Sequence, residues 1–181
     1  MKVNIRLAEP GDIPILEKLI TDSVMVLQAP DYSEEQRRGA LGTVFGIDTQ
    51  LIRDKTYFAA ISDDGIIVGC GGWSFRQTLY GSDGVSGKND QELDPARDAA
   101  RIRAFFIKPG WERRGIGGQI LHACEKEAAA KGFTHFELGS TVTGIGFYSR
   151  HGYLACEPSD AALPGGISLS IIRMTKETKA A

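Results

Sequence analysis

The stretch Pro109-Gly110-Trp111-Glu112-Arg113-Arg114-Gly115-Ile116-Gly117-Gly118 constrains this chain more than any other segment. It lies between an apolar, strand-like run, Ala100 to Ile107, and a helical pattern over Gly115 to Lys131. In that helix Ile116, Ile120, Leu121, Cys124 and Ala128 form one stripe. Glycines at a helix head let backbone N–H groups converge with no side chains in the way. The helix terminus adds about half a positive charge and unpaired donors. Arg113 and Arg114 add two full cations. Together these predict an anion cradle suited to a pyrophosphate. A Walker A loop needs Lys-Ser or Lys-Thr after the second glycine, and Gln119-Ile120 follows Gly118 instead. A dinucleotide fingerprint needs a small residue three positions after Gly117, where Ile120 stands. The alternative is a plain helix start with no ligand.

The rest of the chain reads as alternating short elements. Val3 to Leu7 is a strand. Glu9-Pro10-Gly11-Asp12 breaks it, with Asp12 as a cap for a helix carrying Ile13, Leu16, Leu19, Ile20, Val24 and Leu27. Ser33 and Gln36 predict a capping box on a short second helix ending near Gly42 or Gly46, with a further turn over Asp48 to Arg53. Tyr57 to Ile61 and Ile66 to Phe75 are strands joined by Asp63-Asp64-Gly65, and Gly69, Gly71 and Gly72 inside the second suggest a bulge or a close backbone approach. Residues 77–98 form a long loop, either a flap on the substrate side or a mobile insertion. Phe133 to Leu138 is a strand, Gly144 to His151 a short helix, and Tyr153 to Cys156 and Ile167 to Met174 are the last strands. Thr175 to Ala181 is expected to fray. This order predicts one domain over residues 1–181, core about 3–175, of class α/β with a mixed sheet covered by helices.

Composition narrows the functional classes. The net charge is -2 with both signs interspersed, which gives no general attraction to nucleic acid or membrane. The start lacks a long apolar h-region and no apolar run reaches the length of a membrane helix, so a cytoplasmic protein is expected. Cys70, Cys124 and Cys156 are scattered and read as reduced, packed thiols. His122, His135 and His151 have no ligand spacing and read as surface or capping residues. No metal site is expected.

At the glycine loop the chain resembles the GNAT family of N-acetyltransferases, whose R/Q-x-x-G-x-G/A loop heads a helix. Gly115 and Gly117 take the two glycine positions, and Glu112 departs from the usual Arg or Gln. Gly146-Phe147-Tyr148-Ser149-Arg150-His151-Gly152-Tyr153 is similar to the family's F-Y-x-x-x-G-F/Y segment. Ile5-Arg6-Leu7-Ala8 with Asp12 is similar to its opening. The resemblance implies a GNAT-type (acyl-CoA N-acyltransferase) fold: a mostly antiparallel central sheet in which two parallel strands splay apart. It implies acetyl-CoA as co-substrate, with the pyrophosphate held by Arg113, Arg114, Gly115, Ile116, Gly117 and Gly118. The backbone at Phe106 and Ile107 would pair with the pantetheine arm and polarise the thioester.

The reaction so implied is direct attack of a primary amine on acetyl-CoA in a ternary complex, with Tyr148 as the acid for the leaving thiolate. Thr141 stands where the family often has Asn. The strand before the loop carries no carboxylate, so the amine would lose its proton to water or to Asp94 or Asp98. Alternation puts Arg101, Arg103 and Phe105 on one face, and Ile102, Ala104 and Phe106 on the other. The two arginines are salt-bridge partners, a solvated face, or a hold on an anionic group of the acceptor. Tyr80, Trp73, Phe75, Asp83, Asp90, Glu92 and Asp94 are candidates for the acceptor side. The acceptor is a small-molecule or peptide amine. Ile167 to Met174 is apolar enough to pair along a sheet edge in a homodimer. The competing readings are a non-catalytic acyl-CoA sensor or interaction module, and a nucleotide-binding protein.

Overall fold

In the computed structural model, which describes residues 3–178, alternation and capping chemistry produce the expected order of elements. The strands are β1 (Val3–Leu7), β2 (Tyr57–Ser62), β3 (Ile67–Ser74), β4 (Ala100–Ile107), β5 (His135–Thr141), β6 (Leu154–Ala162) and β7 (Ser168–Glu177). The helices are α1 (Ile13–Leu27), α2 (Glu34–Ala40), α3 (Thr49–Arg53), α4 (Ile116–Ala130) and α5 (Ile145–Arg150). The seven strands form one sheet in the order β1-β2-β3-β4-β5-β7-β6. Every neighbouring pair is antiparallel except β4 and β5.

Local chemistry explains the helix starts. Ser33 accepts from the Gln36 N–H at 3.1 Å and the Gln36 side chain accepts from the Ser33 N–H at 3.0 Å, the predicted capping box. Asp48 caps α3 through the Gln50 N–H at 3.1 Å. Asp12 does not cap α1 with its side chain. It accepts from the Glu9 N–H at 2.8 Å and pairs with Arg6 at 2.7 Å, closing the short 3-10 turn before the helix.

Helices cover the sheet on two faces, each with its own core. Leu16, Leu19, Ile20 and Val24 of α1 pack with Phe106, Leu169 and Ile171. On the other face Ile116, Ile120, Leu121, Cys124 and Ala128 of α4 pack with Ala60, Val68, Ile102, Phe136 and Leu138. Burying each of these large aliphatic side chains stabilises the fold by about 1.5–3 kcal/mol before chain entropy is counted.

Three strands differ from expectation by more than a residue at their ends, and β5 also runs past Leu138 to Thr141. β5 begins at His135, because Phe133 is used to close the end of α4, its N–H donating to the Ala128 carbonyl at 3.2 Å. β6 runs on to Ala162 through a register shift between Ala155 and Pro158. β7 continues to Glu177, pairing where a frayed end was expected, while residues 179–181 of the expected tail lie outside the described residues. β7 is therefore an interior strand between β5 and β6, not a free edge. Its apolar run is spent inside the sheet, and the free edges belong to β1 and β6.

Candidate functional site: a cleft between splayed parallel strands

β4 and β5 pair only at Ala100–Phe136 and Arg101–Glu137. Beyond these residues they part. The departure follows from β4 itself. Ala104 has φ 56°, and the pairing of β4 with β3 shifts register between Cys70 and Gly72. The extra residue in β4 bends it away from β5. It also reverses the side-chain alternation, so Phe105 joins Ile102 on the α4 face and Phe106 joins Arg101 and Arg103 on the α1 face. The expected grouping of Phe105 with the two arginines fails for this reason: strict alternation assumes no bulge. Two contacts hold the bulge. The Tyr57 hydroxyl donates to the Ala104 carbonyl at 2.9 Å. Gly71 leaves room for the Phe105 ring, which would lie 2.7 Å from a Cβ there.

The parting opens a cleft of about 1310 Å³ that passes between the two faces of the sheet. Phe105, Phe106 and Ile107 line it from β4, Ser140 and Thr141 from β5, and Tyr148 from α5. The head of α4 forms its mouth. Gly115 there has φ 75° and caps the helix with no side-chain bond, so the first N–H groups of α4 face the cleft with Ile116, Gly117 and Gly118. Gly117 and Gly118 also let α5 come close, since a Cβ at either would lie 3.2 Å from the Phe147 ring or 3.0 Å from His151 Nε2.

Most of the expected residues converge on the cleft. Arg113 lines it, and so do Phe106, Ile107, Gly115, Ile116, Gly117, Gly118 and Tyr148. Arg114 does not. Its guanidinium donates to the Gly110 carbonyl at 2.9 Å and stacks 4.8 Å over Trp111. Charge missed by the sequence reading is supplied by Lys126 and Arg150, which line the cleft together with the His122 and His151 rings. They follow the glycine loop by helix turns, from α4 and the end of α5, and no linear motif marks them. His122 and His151 are thus cleft residues, not merely surface or capping ones. Cys156 is exposed, whereas Cys70 and Cys124 are buried as expected.

Tyr148 is 9% exposed, ringed by Phe105, Phe147 and Tyr153 at 4.9–6.2 Å between centroids. Its hydroxyl makes no hydrogen bond among the described residues, and burial, with a smaller effect of Cys124, pushes its pKa well up. Thr141 accepts from the Gly144 N–H at 3.2 Å and so orients the turn into α5.

The remaining candidates are placed elsewhere. Arg101 pairs with Glu137 at 3.1 Å, which Arg173 also binds at 2.7 Å. Arg103 approaches Asp48 at 2.8 Å and donates to the Gly81 carbonyl at 2.6 Å. The Arg103–Asp48 contact is close but not aligned as a linear hydrogen bond, and is best described as a buried ion pair. Both arginines are thus salt-bridge partners. Tyr80 lines the cleft, but Trp73 is fully buried, and Phe75, Asp83, Asp90, Glu92 and Asp94 are not on it. Asp94 and Asp98 form a turn with one another before β4, beside Gly132 at the far end of α4, so neither is placed to take a proton in the cleft. The loop over residues 77–98 folds back as a two-stranded stem, with Gln77 bonded to Gln91 and Thr78 to Asn89, and its tip docks on residues 43–49.

Among the described residues no group of three or more His, Cys, Asp or Glu could hold a metal, and no helix is long and apolar enough to cross a membrane.

Comparison with known proteins agrees with this architecture. The model of the Acetyltransferase (GNAT) family matches residues 21–153. A GCN5-related N-acetyltransferase from Rhodopseudomonas palustris superposes with TM-score 0.71 at 20% identity, over 98% of this chain and 96% of that one. The PaiA N-acetyltransferase of Thermoplasma acidophilum, solved with coenzyme A, superposes with TM-score 0.64 at 17% identity, over 98% and 99%. A phosphinothricin acetyltransferase of Sinorhizobium meliloti, solved with AcCoA, gives 0.65 at 15% identity, over 98% and 89%. No curated protein matches the chain. Given the family match across most of its length, the chain belongs to the GNAT family of acetyltransferases.

Proposed function

We propose that this protein transfers the acetyl group of acetyl-CoA to the primary amine of a small-molecule or peptide acceptor, by direct attack in a ternary complex. The observation that carries this reading is the splay of β4 from β5 beside the bare head of α4. A thioester arm laid in the gap would meet the β5-facing edge of β4 at Phe106 and Ile107, whose other edge pairs with β3. Its pyrophosphate would meet the α4 amides of Ile116, Gly117 and Gly118, with Arg113, Lys126 and Arg150 as counter-charges.

The amine nitrogen bonds to the thioester carbon, the C–S bond breaks, and the thiolate leaves with the Tyr148 proton. The proton shed by the new amide nitrogen passes through water and restores Tyr148. Burial keeps Tyr148 protonated through the working pH range but also makes it a weaker acid, so it acts first as a hydrogen-bond donor to the departing sulfur and gives up its proton only as the proton of the new amide returns through water. The backbone donor beside the carbonyl stabilises the oxyanion.

Calorimetric titration with acetyl-CoA tests the donor site, with CoA, ATP and NAD as controls. A thiol-release assay with Tyr148→Phe tests the acid. Acetyl-CoA is expected to bind saturably. The variant should bind it with unchanged affinity and turn over about 10²–10⁴-fold more slowly. Unchanged binding with unchanged turnover removes Tyr148 from the chemistry. Failure to bind either CoA species removes the function.

A further inference from the structure

The cleft has a second end, on the α1 side of the sheet. It is walled by Leu27, Val44, Phe45, Leu79, Tyr80 and Ile171. Among the described residues the one acid on the whole cleft is Glu112, which belongs to the loop before α4, at the opposite end. Three acids lie near the α1-side wall. Asp31, exposed at the rim and outside the cavity lining, accepts from the Thr143 hydroxyl at 2.7 Å. The other two are committed elsewhere. Asp48 is 1% exposed and shared between Arg103 at 2.8 Å and Lys88 at 3.0 Å. Asp83 accepts from the Thr49 N–H at 3.1 Å and lies 3.8 Å from Lys88. Two cations and two anions thus cancel behind the wall, and Asp31 keeps its charge in solvent at the rim, so no opposite charge lies inside this end. Gln28, at the end of α1, is 7% exposed and lines the cleft, with its Oε1 left without a partner. It offers a neutral acceptor for an N–H, not a counter-ion.

An ammonium moved into such a cavity loses hydration and gains no opposite charge. The same desolvation lowers the pKa of an amine. A single amine can escape the cost by entering neutral, which is also the form that attacks. A second cationic group has no such escape. The titratable groups facing this end are Tyr80, Arg103 and Tyr148, and none is a carboxylate or imidazole able to take a proton near neutrality. His122, His151 and Glu112 face the α4 end.

Resting on the acetyltransferase reading above, we infer that the acceptor is a monoamine with an apolar alkyl or aryl body, taken up in its neutral form, with no second charge and no enzymic base. The apolar wall itself does the work that a carboxylate would do in a site built for cations.

The test compares kcat/KM by thiol release for a phenylalkylamine, an alkylamine of similar length, spermidine, an aminoglycoside and a lysine peptide, alongside acetyl-CoA calorimetry. The two monoamines should lead spermidine, the aminoglycoside and the peptide by tenfold or more. Across phenylalkylamines whose basicity is stepped down by fluorine near the nitrogen, the inflection of kcat/KM against pH should move with the pKa of each amine. Gln28→Glu, nearly isosteric, should raise spermidine relative to the monoamines. Preference for a polycation, or an inflection at one pH for every amine, overturns the inference while leaving acetyl transfer intact. Bound acetyl-CoA with no amine acetylated overturns the acetyltransferase reading, and this inference with it.

Discussion

Asp48 and Arg103 show how one buried pair can shape a site it does not enter chemically. Asp48 caps α3, receives Arg103 and receives Lys88 from the 77–98 loop, while Arg103 also holds the Gly81 carbonyl. Burial lowers the pKa of Arg103, and Asp48 is the opposing influence that keeps it charged. Removing one partner of such a pair leaves the other charge uncompensated. Asp48→Ala is therefore expected to cost about 3–5 kcal/mol, read as a fall in the urea midpoint. Tyr80 and Gly81, which the pair holds in place, were visible in the sequence only as part of a loop. Tyr148 was legible because it sits in a compact motif. Lys126 and Arg150 were not, because a helix brings them to the cleft by its turn and not by a signature.

At the scale of elements, the head of α4 and the bulge in β4 make the cleft. Gly115 has open space around it, so a Cβ would fit, but its φ of 75° would strain any L side chain. Gly115→Ala is expected to cost about 1–2 kcal/mol through that left-handed conformation. The expected readouts are a melting temperature lower by about 2–4 °C per kcal/mol and weaker acetyl-CoA binding in calorimetry, since the strain is relieved only by turning the first α4 amides away. An unchanged affinity would mean that these amides do not hold the phosphates. The α4 helix and its glycines were readable from the stripe and the breakers. Gly69, Gly71 and Gly72 announced a bulge or close approach at β3, but its seat in β4 was not readable, since Ala104 is an ordinary strand residue and nothing local requires its positive φ. Tyr57, Gly71 and the pairing with β3 impose it.

For the whole molecule, ion pairs, one local and two joining separate elements, set the acid limit. Hydrogen bonding to Arg6 holds the Asp12 carboxyl below its usual range. Burial pushes the Asp54 and Glu137 carboxyls up, but Arg76 for the first and Arg173 with Arg101 for the second outweigh it, and both end low. A carboxylate with a depressed folded pKa contributes stability that is fully present above its unfolded value, about 4. That stability is lost as pH falls through the folded value. The urea midpoint should thus be level above about pH 5 and fall below about pH 4. Glu137→Gln should flatten that fall, because the group can no longer take up a proton. A midpoint that falls just as steeply in the variant would remove Glu137 from the acid limb.

The sequence by itself determined the order of elements, their approximate bounds, the phosphate-type loop and the aromatic acid candidate. These rest on local periodicity, capping and turn chemistry, which act within a few residues. Only the tertiary structure decided that β7 is interior, that β4 bends away from β5, that Phe105 and Phe106 exchange faces, and that the loop acids turn from the cleft. Each of these depends on pairing or packing between residues far apart in the chain. Strand order, bulge position and the partner of a buried charge are set by which distant segment occupies the neighbouring space, and local sequence pattern carries no record of it.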